Sequence, residues 1–368
     1  FMVTRMNFLF DLTPDVQHII AIVGAATALV AASIGLLQND IKKVLAYSTV
    51  SQLGLMFLAL GLGAYTVAVF HVITHAFFKA CLFLGSGSVI HGLHGEQDMR
   101  KMGGLRKAMP ITFWTMMIST LAISGIFPFS GFWSKDEILM TAFHSNIPLW
   151  VVGSIASIMT AFYMFRLMYL TFFREFRGTE EQAHHVHESP ISMTLPLIIL
   201  AVLSAVGGAM GVPEILGGHH WLSHHLSSII GAEHALHLSH TTEWILMGSS
   251  VTIALVALLI AIGKYSKQAD GEPQTALGKF LYNKWLVDEL YEKAIVQPLH
   301  RFAGFLKEVV EKNVIDGLVN GTGKLVQYGA RQTRLMQSGQ VGYYILFMVL
   351  SIVLLFLIWF NDLAITRF

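Results

Sequence analysis

Three basic side chains inside one apolar stretch carry the first chemical signal. Residues 65–90 read YTVAVFHVITHAFFKACLFLGSGSVI, and His71, His75 and Lys79 stand there at i, i+4 and i+8. On a helix that spacing stacks them along one stripe, drifting by roughly 40° per step. The stretch is long enough to cross a bilayer, since about 20 apolar residues at 1.5 Å each match a ~30 Å hydrocarbon core. Ionisable groups held there are costly and face a protein interior or a water-filled path. A lone histidine of this kind is more often a hydrogen-bonded core residue, and a lone lysine can snorkel to an interface. The aligned triplet favours a proton relay.

A second signal lies further on. Gly125, Pro128 and Gly131 punctuate another apolar segment, and Ser134, Lys135, Asp136 and Glu137 follow at once. Proline removes a backbone donor and clashes with the preceding turn, so a helix must open there. Freed backbone groups in a bilayer are tolerated only where protein or water satisfies them. Broken helices whose half-ends point at ions are a transporter device; the plainer alternative is a re-entrant turn with Lys135 at the interface. Burial disfavours a charged amine and a neighbouring carboxylate favours it, so a lysine beside Asp136 can change state with small movements of its partner.

Other patterns carry less. NGTGKL lacks the glycine spacing of a phosphate loop and has Leu325 where a hydroxyl should hold magnesium. The loop with His219, His220, His224, His225, His234, His237 and His240 has no cysteine or carboxylate partners at a set spacing, so no metal site is expected; it reads as a solvated, pH-responsive face. His184, His185 and His187 read the same way. No nucleophile triad or dinucleotide fingerprint appears, and no residue is assigned a catalytic role. Cys81, the single cysteine, excludes a disulfide framework and a multi-cysteine iron–sulfur site.

These groups need a scaffold, and composition says which. Of 368 residues 54% are hydrophobic and 13% charged, with a mean hydropathy of +0.60. Soluble domains carry about 25% charged residues, so an all-α polytopic membrane helix bundle is expected. A net charge of +1 gives no electrostatic footprint for nucleic acid. Spans are expected at 18–37, 44–62, 65–90, 111–142 with the break inside, 148–173, 191–210, 244–262 and 342–360. The opening run FMVTRMNFLF reads as the last turns of a crossing helix, and the chain as the C-terminal portion of a longer protein. Lys42, Lys43, Arg100, Lys101, Arg106, Lys107, Arg174, Arg177, Lys264 and Lys267 fall on one side if every span crosses, which makes that side cytoplasmic. From 276 to about 337, charged doublets such as Glu311-Lys312 alternate with apolar pairs such as Val314-Ile315, the period of an amphipathic helix. At 1.5 Å per residue it would reach roughly 90 Å. Pro298 should kink it, and Gly317, Gly321, Gly323 and Gly329 loosen its later part. Its use is either to run along neighbouring subunits or to lie at the membrane interface, as one helix or a hairpin folded at Pro298.

The segments DIKKVLAYSTVSQLG, FHVITHAFFKACLFLGSGSVIH, MGGLR and FSGFWSKDEIL closely resemble the distal antiporter-like subunit of proton-pumping NADH:quinone oxidoreductase, respiratory complex I. The resemblance covers essentially the whole chain, the long lateral helix before a final span included. It implies that His71, His75 and Lys79 belong to a central hydrophilic axis, and that Lys135, with Asp136 beside it, is the lysine through which a proton leaves. It also implies a domain order: 1–14, the end of a truncated transmembrane helix; 15–173, the second of two inverted five-helix repeats; 174–264, two further spans with the histidine-rich periplasmic loop. A lateral helix at 265–340 and a final span with its tail at 341–368 complete it. The expected setting is a bacterial inner membrane, crossed many times. The expected partners are the lipid bilayer and other membrane subunits, above all paralogous antiporter-like subunits met by the lateral helix, with no nucleic acid. NADH, FMN, iron–sulfur clusters and quinone are expected in partner subunits, and no cofactor in this chain. A multi-subunit cation/proton antiporter or a membrane-bound hydrogenase shares the same core and is the alternative.

Overall fold

A computed structural model describes residues 1–212, 218, 221–230, 239–265, 271 and 273–365. It divides into two compact units, Phe1–Trp285 and Leu286–Phe368. Among the described residues the only extended pairing is one antiparallel bridge between Asp40 and Asp98; everything else regular is helical.

The first unit is a bundle of α1 (Pro14–Gly35), α2 (Ile41–Gly61), α3 (Tyr65–Gly92), α4 (Pro110–Ile123), α5 (Ser130–Ser145), α6 (Ile147–Phe172), α7 (Ile191–Val206) and α8 (His240–Tyr265). Four of the starts have a local reason in the sequence. Pro14 and Pro110 open α1 and α4, where a missing N–H costs nothing. Asp40 accepts from the amides of Lys42 and Lys43 to cap α2, and Asn146 accepts from Leu149 N to cap α6. Glu188 caps α4 from a distance, taking the Ile111 amide on Oε2 at 2.7 Å and the Thr112 hydroxyl on Oε1 at 2.6 Å.

Among the described residues seven helices are long and apolar enough to cross a membrane. With α4 and α5 as the two halves of one interrupted span, that matches the expected set. α1 and α2 approach closely through buried Ala21, Ala25, Ala28 and Ala32, the small-residue packing that lipid-embedded helices use in place of a hydrophobic drive. Leu55, Phe78, Met116, Ile138, Tyr163 and Leu167 continue the core, while Ile22, Phe57, Val72, Trp114, Ile155 and Leu259 point outward as an apolar belt. The loops after α1, α3 and α6 meet at one end. Ile41 N donates to Gln97 O, Gly104 N to Phe173 O, and Arg177 to the carbonyls of Met99, Arg100 and Leu170. The basic residues expected on one face from Lys42 to Arg177 therefore do share one end, while Lys267 lies outside the described residues.

The opening run forms two short helices, Met2–Arg5 and Asn7–Phe10, separated at Met6. The amphipathic segment also differs from expectation. Ala276–Tyr282 is a separate helix, and Lys284, Trp285 and Leu286 then take positive φ, so the long helix begins only at Val287. In the second unit that helix, α9, runs over 287–335, and α10 (Val341–Ile365) follows. Pro298 does not break α9. A wider π turn at Glu292–Val296 comes just before it, and α-helix continues through Gln297–Phe305. The four later glycines stay helical within Asp316–Leu335.

Candidate functional site

The stripe on α3 faces inward, as its spacing predicts. His71, His75 and Lys79 are 0%, 8% and 4% exposed. α2, α5 and α6 supply their surroundings. His71 Nδ1 lies 2.9 Å from Ser134 Oγ and its Nε2 3.2 Å from Gln52 Oε1. Thr74 reaches the same Ser134 hydroxyl at 2.8 Å, and Gln52 Nε2 donates to Thr160 Oγ1, which Tyr163 also meets. A polar web thus joins four helices, α2, α3, α5 and α6, across the bundle at the level of His71.

The stripe is not a continuous hydrogen-bonded wire. The His71 and His75 rings are 6.1 Å apart between centroids, Phe78 lies edge-on to His75, and His75 Nε2 is buried with no partner. Lys79 donates to the carbonyl oxygen of Leu45 on α2 at 2.9 Å and lies over the Phe83 ring. Passage from one imidazole to the next, and on to the amine, therefore needs water or ring rotation as well as the aligned stripe.

The break lies where Gly125, Pro128 and Gly131 place it. α4 stops at Ile123, Gly125 takes φ +75°, a conformation open to glycine, and α5 restarts at Ser130. A side chain at Gly131 would collide with the carbonyl of Ala122, so glycine there lets the second half-helix start against the end of the first. Lys135 sits one turn into α5, 3% exposed, and its Nζ reaches back across the break to the carbonyl of Ile123 at 3.3 Å. That carbonyl belongs to the last turn of α4, the negative end of the half-helix dipole. Asp136 is 6% exposed, and its Oδ1 accepts from Ser250 on α8 at 2.7 Å. The structure thus links the two signals through Ser134, one residue before Lys135 and bonded to His71.

Several participants were not singled out by sequence reasoning. Gln52 stood among polar residues early in its span, and Ser134 beside the lysine, but hydroxyls and amides are too common to name from one sequence. Arg166 left a stronger signal, an arginine deep in an apolar span. It is 1% exposed, donating from Nη1 to Gln38 O and from Nη2 to Asn39 Oδ1, each at 2.6 Å, with its guanidinium over the Tyr265 ring. Of the histidine-rich loop, His219, His220, His234 and His237 lie outside the described residues. Among the described residues no group of three or more histidines, cysteines or carboxylates gathers in a way that could hold a metal.

At the basic end, Glu96 and Asp98 are held below their ordinary values. Partial burial alone would raise both. The Asp98 amide, Lys101 and the Gln97 amide on Glu96 outweigh it, as do the side chain and amide of Arg100 on Asp98.

Residues 1–161 match the family described as NADH:quinone oxidoreductase/Mrp antiporter, TM. The chain is 46% identical to NAD(P)H-quinone oxidoreductase chain 5 of Picosynechococcus sp., over 98% of this chain and 58% of that protein. It is 38% identical to NADH-quinone oxidoreductase subunit L of Rhodobacter capsulatus, over 96% of this chain and 60% of that protein. It therefore spans about three fifths of the curated relatives it matches. A chain of the Mrp complex from Dietzia sp. shares the fold, with a TM-score of 0.55 at 23% identity over 90% of this chain and 32% of that one. With a broken span, a buried basic stripe and these likenesses along nearly its whole length, the chain belongs to the antiporter-like family of membrane subunits to which NADH-quinone oxidoreductase chain 5 and subunit L belong.

Proposed function

We propose that this chain carries protons across a bacterial inner membrane as a subunit of an NADH:quinone oxidoreductase. Redox chemistry in partner subunits drives it, and those partners hold NADH, FMN, iron–sulfur clusters and quinone. The observation that carries the reading is the placing of two buried basic groups on adjoining elements: the Ser134 hydroxyl is bonded to His71 on α3, and the next residue along α5 is Lys135. In operation a proton enters from the basic end near Lys79, moves by water and the His75 and His71 rings, and arrives at Lys135. Each lysine's charge state biases its neighbour's, because a charge in low dielectric is felt strongly over short distances. Residues 15–173 act as one antiporter-like repeat, and α9 runs along paralogous subunits of the membrane arm.

The test uses native membranes carrying the assembled enzyme. Lys79→Ala and Lys135→Ala should each cut protons moved per NADH oxidised by about tenfold or more, while NADH oxidation by an artificial acceptor survives. Normal stoichiometry in both variants would remove the relay from the account. The likeness to the Mrp complex keeps a second reading, sodium/proton exchange. Sodium-dependent transport without NADH turnover would favour it.

A further inference from the structure

Asp136 is gripped from outside the segment that matches the family. Ser250 stands on α8, far beyond residue 161, and its hydroxyl donates to Asp136 Oδ1 at 2.7 Å. The other carboxyl oxygen, Oδ2, is buried with no partner. Beside it lies a cavity of about 110 Å³ lined by Lys135, Asp136, Ser124, Ser157 and Ser250, with Trp150 among its apolar walls. The hydroxyls of Ser124 and Ser157 are also buried with no partner. Roughly 10–15 Å³ of such volume suffices for one water, so this chamber has room for several beside its unsatisfied polar groups.

We infer that Ser250 is a positioning residue, pinning Oδ1 so that Oδ2 is the oxygen of Asp136 that exchanges protons with the chamber. The inference rests on the proton-translocation reading above. The terminal torsion of an aspartate is broad and roughly two-fold, so an untethered carboxyl would present either oxygen. A hydroxyl donating to Oδ1 removes that freedom in both states, because the carbonyl oxygen of a protonated carboxyl still accepts. The proton count closes. Lys135 gives up one proton and becomes a neutral amine, and Oδ2 takes one and becomes a carboxyl. Passing it to chamber water yields hydronium and restores the carboxylate, while Ser250 keeps its own proton throughout. Ser250 Oγ also lies 3.0 Å from Met247 O, so α8 has its own claim on that hydroxyl.

The experiment compares Ser250→Ala and Ser250→Thr in native membranes carrying the assembled enzyme. It measures protons moved per NADH oxidised, together with the infrared carboxyl band that disappears in Asp136→Asn. Ser250→Ala should lower pumping roughly tenfold, the factor that a hydrogen bond to a charged group supplies, and move the carboxyl band. Ser250→Thr, which keeps the hydroxyl, should restore both. An unmoved band with normal pumping in Ser250→Ala, or failure of Ser250→Thr to restore them, overturns the assignment. If Lys79→Ala and Lys135→Ala also pump normally, the proton reading falls with it. If those two stop pumping while Ser250→Ala changes nothing, only the role of Ser250 falls.

Discussion

Arg166 is the largest side chain wholly enclosed in the bundle, and it joins parts of the chain far apart in sequence. Its fork holds Gln38 and Asn39 after α1, and its plane covers Tyr265 at the end of α8. A lysine cannot reproduce two parallel donors or the flat stacking surface. Arg166→Lys should therefore cost about 2 kcal/mol or more, since a buried acceptor loses a charged donor. Melting of the detergent-solubilised assembly would show it, and an unchanged midpoint would mean that Arg166 is incidental. The histidine stripe was legible because an i, i+4, i+8 spacing is a statement about one helix. The bonds of Arg166, Gln52 and Ser250 were not, because their partners lie on other elements and single-sequence periodicity speaks of one helix at a time.

At the scale of elements the interrupted span decides most. Its three punctuating residues were readable from backbone chemistry alone: proline stops a helix, and glycine permits what other residues resist. The reason for Gly131 was not readable, because it is the approach of α5 to the Ala122 carbonyl. Gly131→Ala should push the start of α5 away from α4, breaking the Ser134–His71 contact and the reach of Lys135 to Ile123. The expected outcome is assembly with pumping reduced at least about tenfold, read from protons moved per NADH oxidised. Full pumping would show that the close approach is not needed. The long amphipathic helix was read correctly in kind but too generously in extent. Its periodicity runs smoothly through 284–286, where positive φ angles turn the chain, and the helix goes on past Pro298 after a π turn.

For the bundle as a whole, the basic end is the part whose stability answers to pH outside the membrane. Glu96 and Asp98 are held below their ordinary values of 4.5 and 3.8. A carboxyl depressed in the folded state contributes stability above its unfolded value, and loses it as pH falls through the folded one. The bridges Arg100–Asp98 at 2.7 Å and Lys101–Glu96 at 3.0 Å should thus hold the loop fully at neutral pH and release it only as pH falls through the depressed values, below 4.5 for Glu96 and below 3.8 for Asp98. Hydrogen exchange of the Gln97 and Arg100 amides, corrected for intrinsic rate, should accelerate there and nowhere above pH 5. Exchange that stays flat through acid protonation of both carboxyls would show that the loop is held by its backbone bonds to Asn39 and Ile41 alone.

Both buried lysines, Lys79 and Lys135, are moored to main-chain oxygens of Leu45 and Ile123. Such an oxygen neither gains nor loses a proton in the physiological range, so the mooring changes strength only when the amine itself changes charge. Side-chain mutagenesis at those two positions leaves it standing. Only replacing the peptide link that follows Leu45 or Ile123 by an ester, whose carbonyl accepts more weakly, would loosen one amine without touching any titratable group.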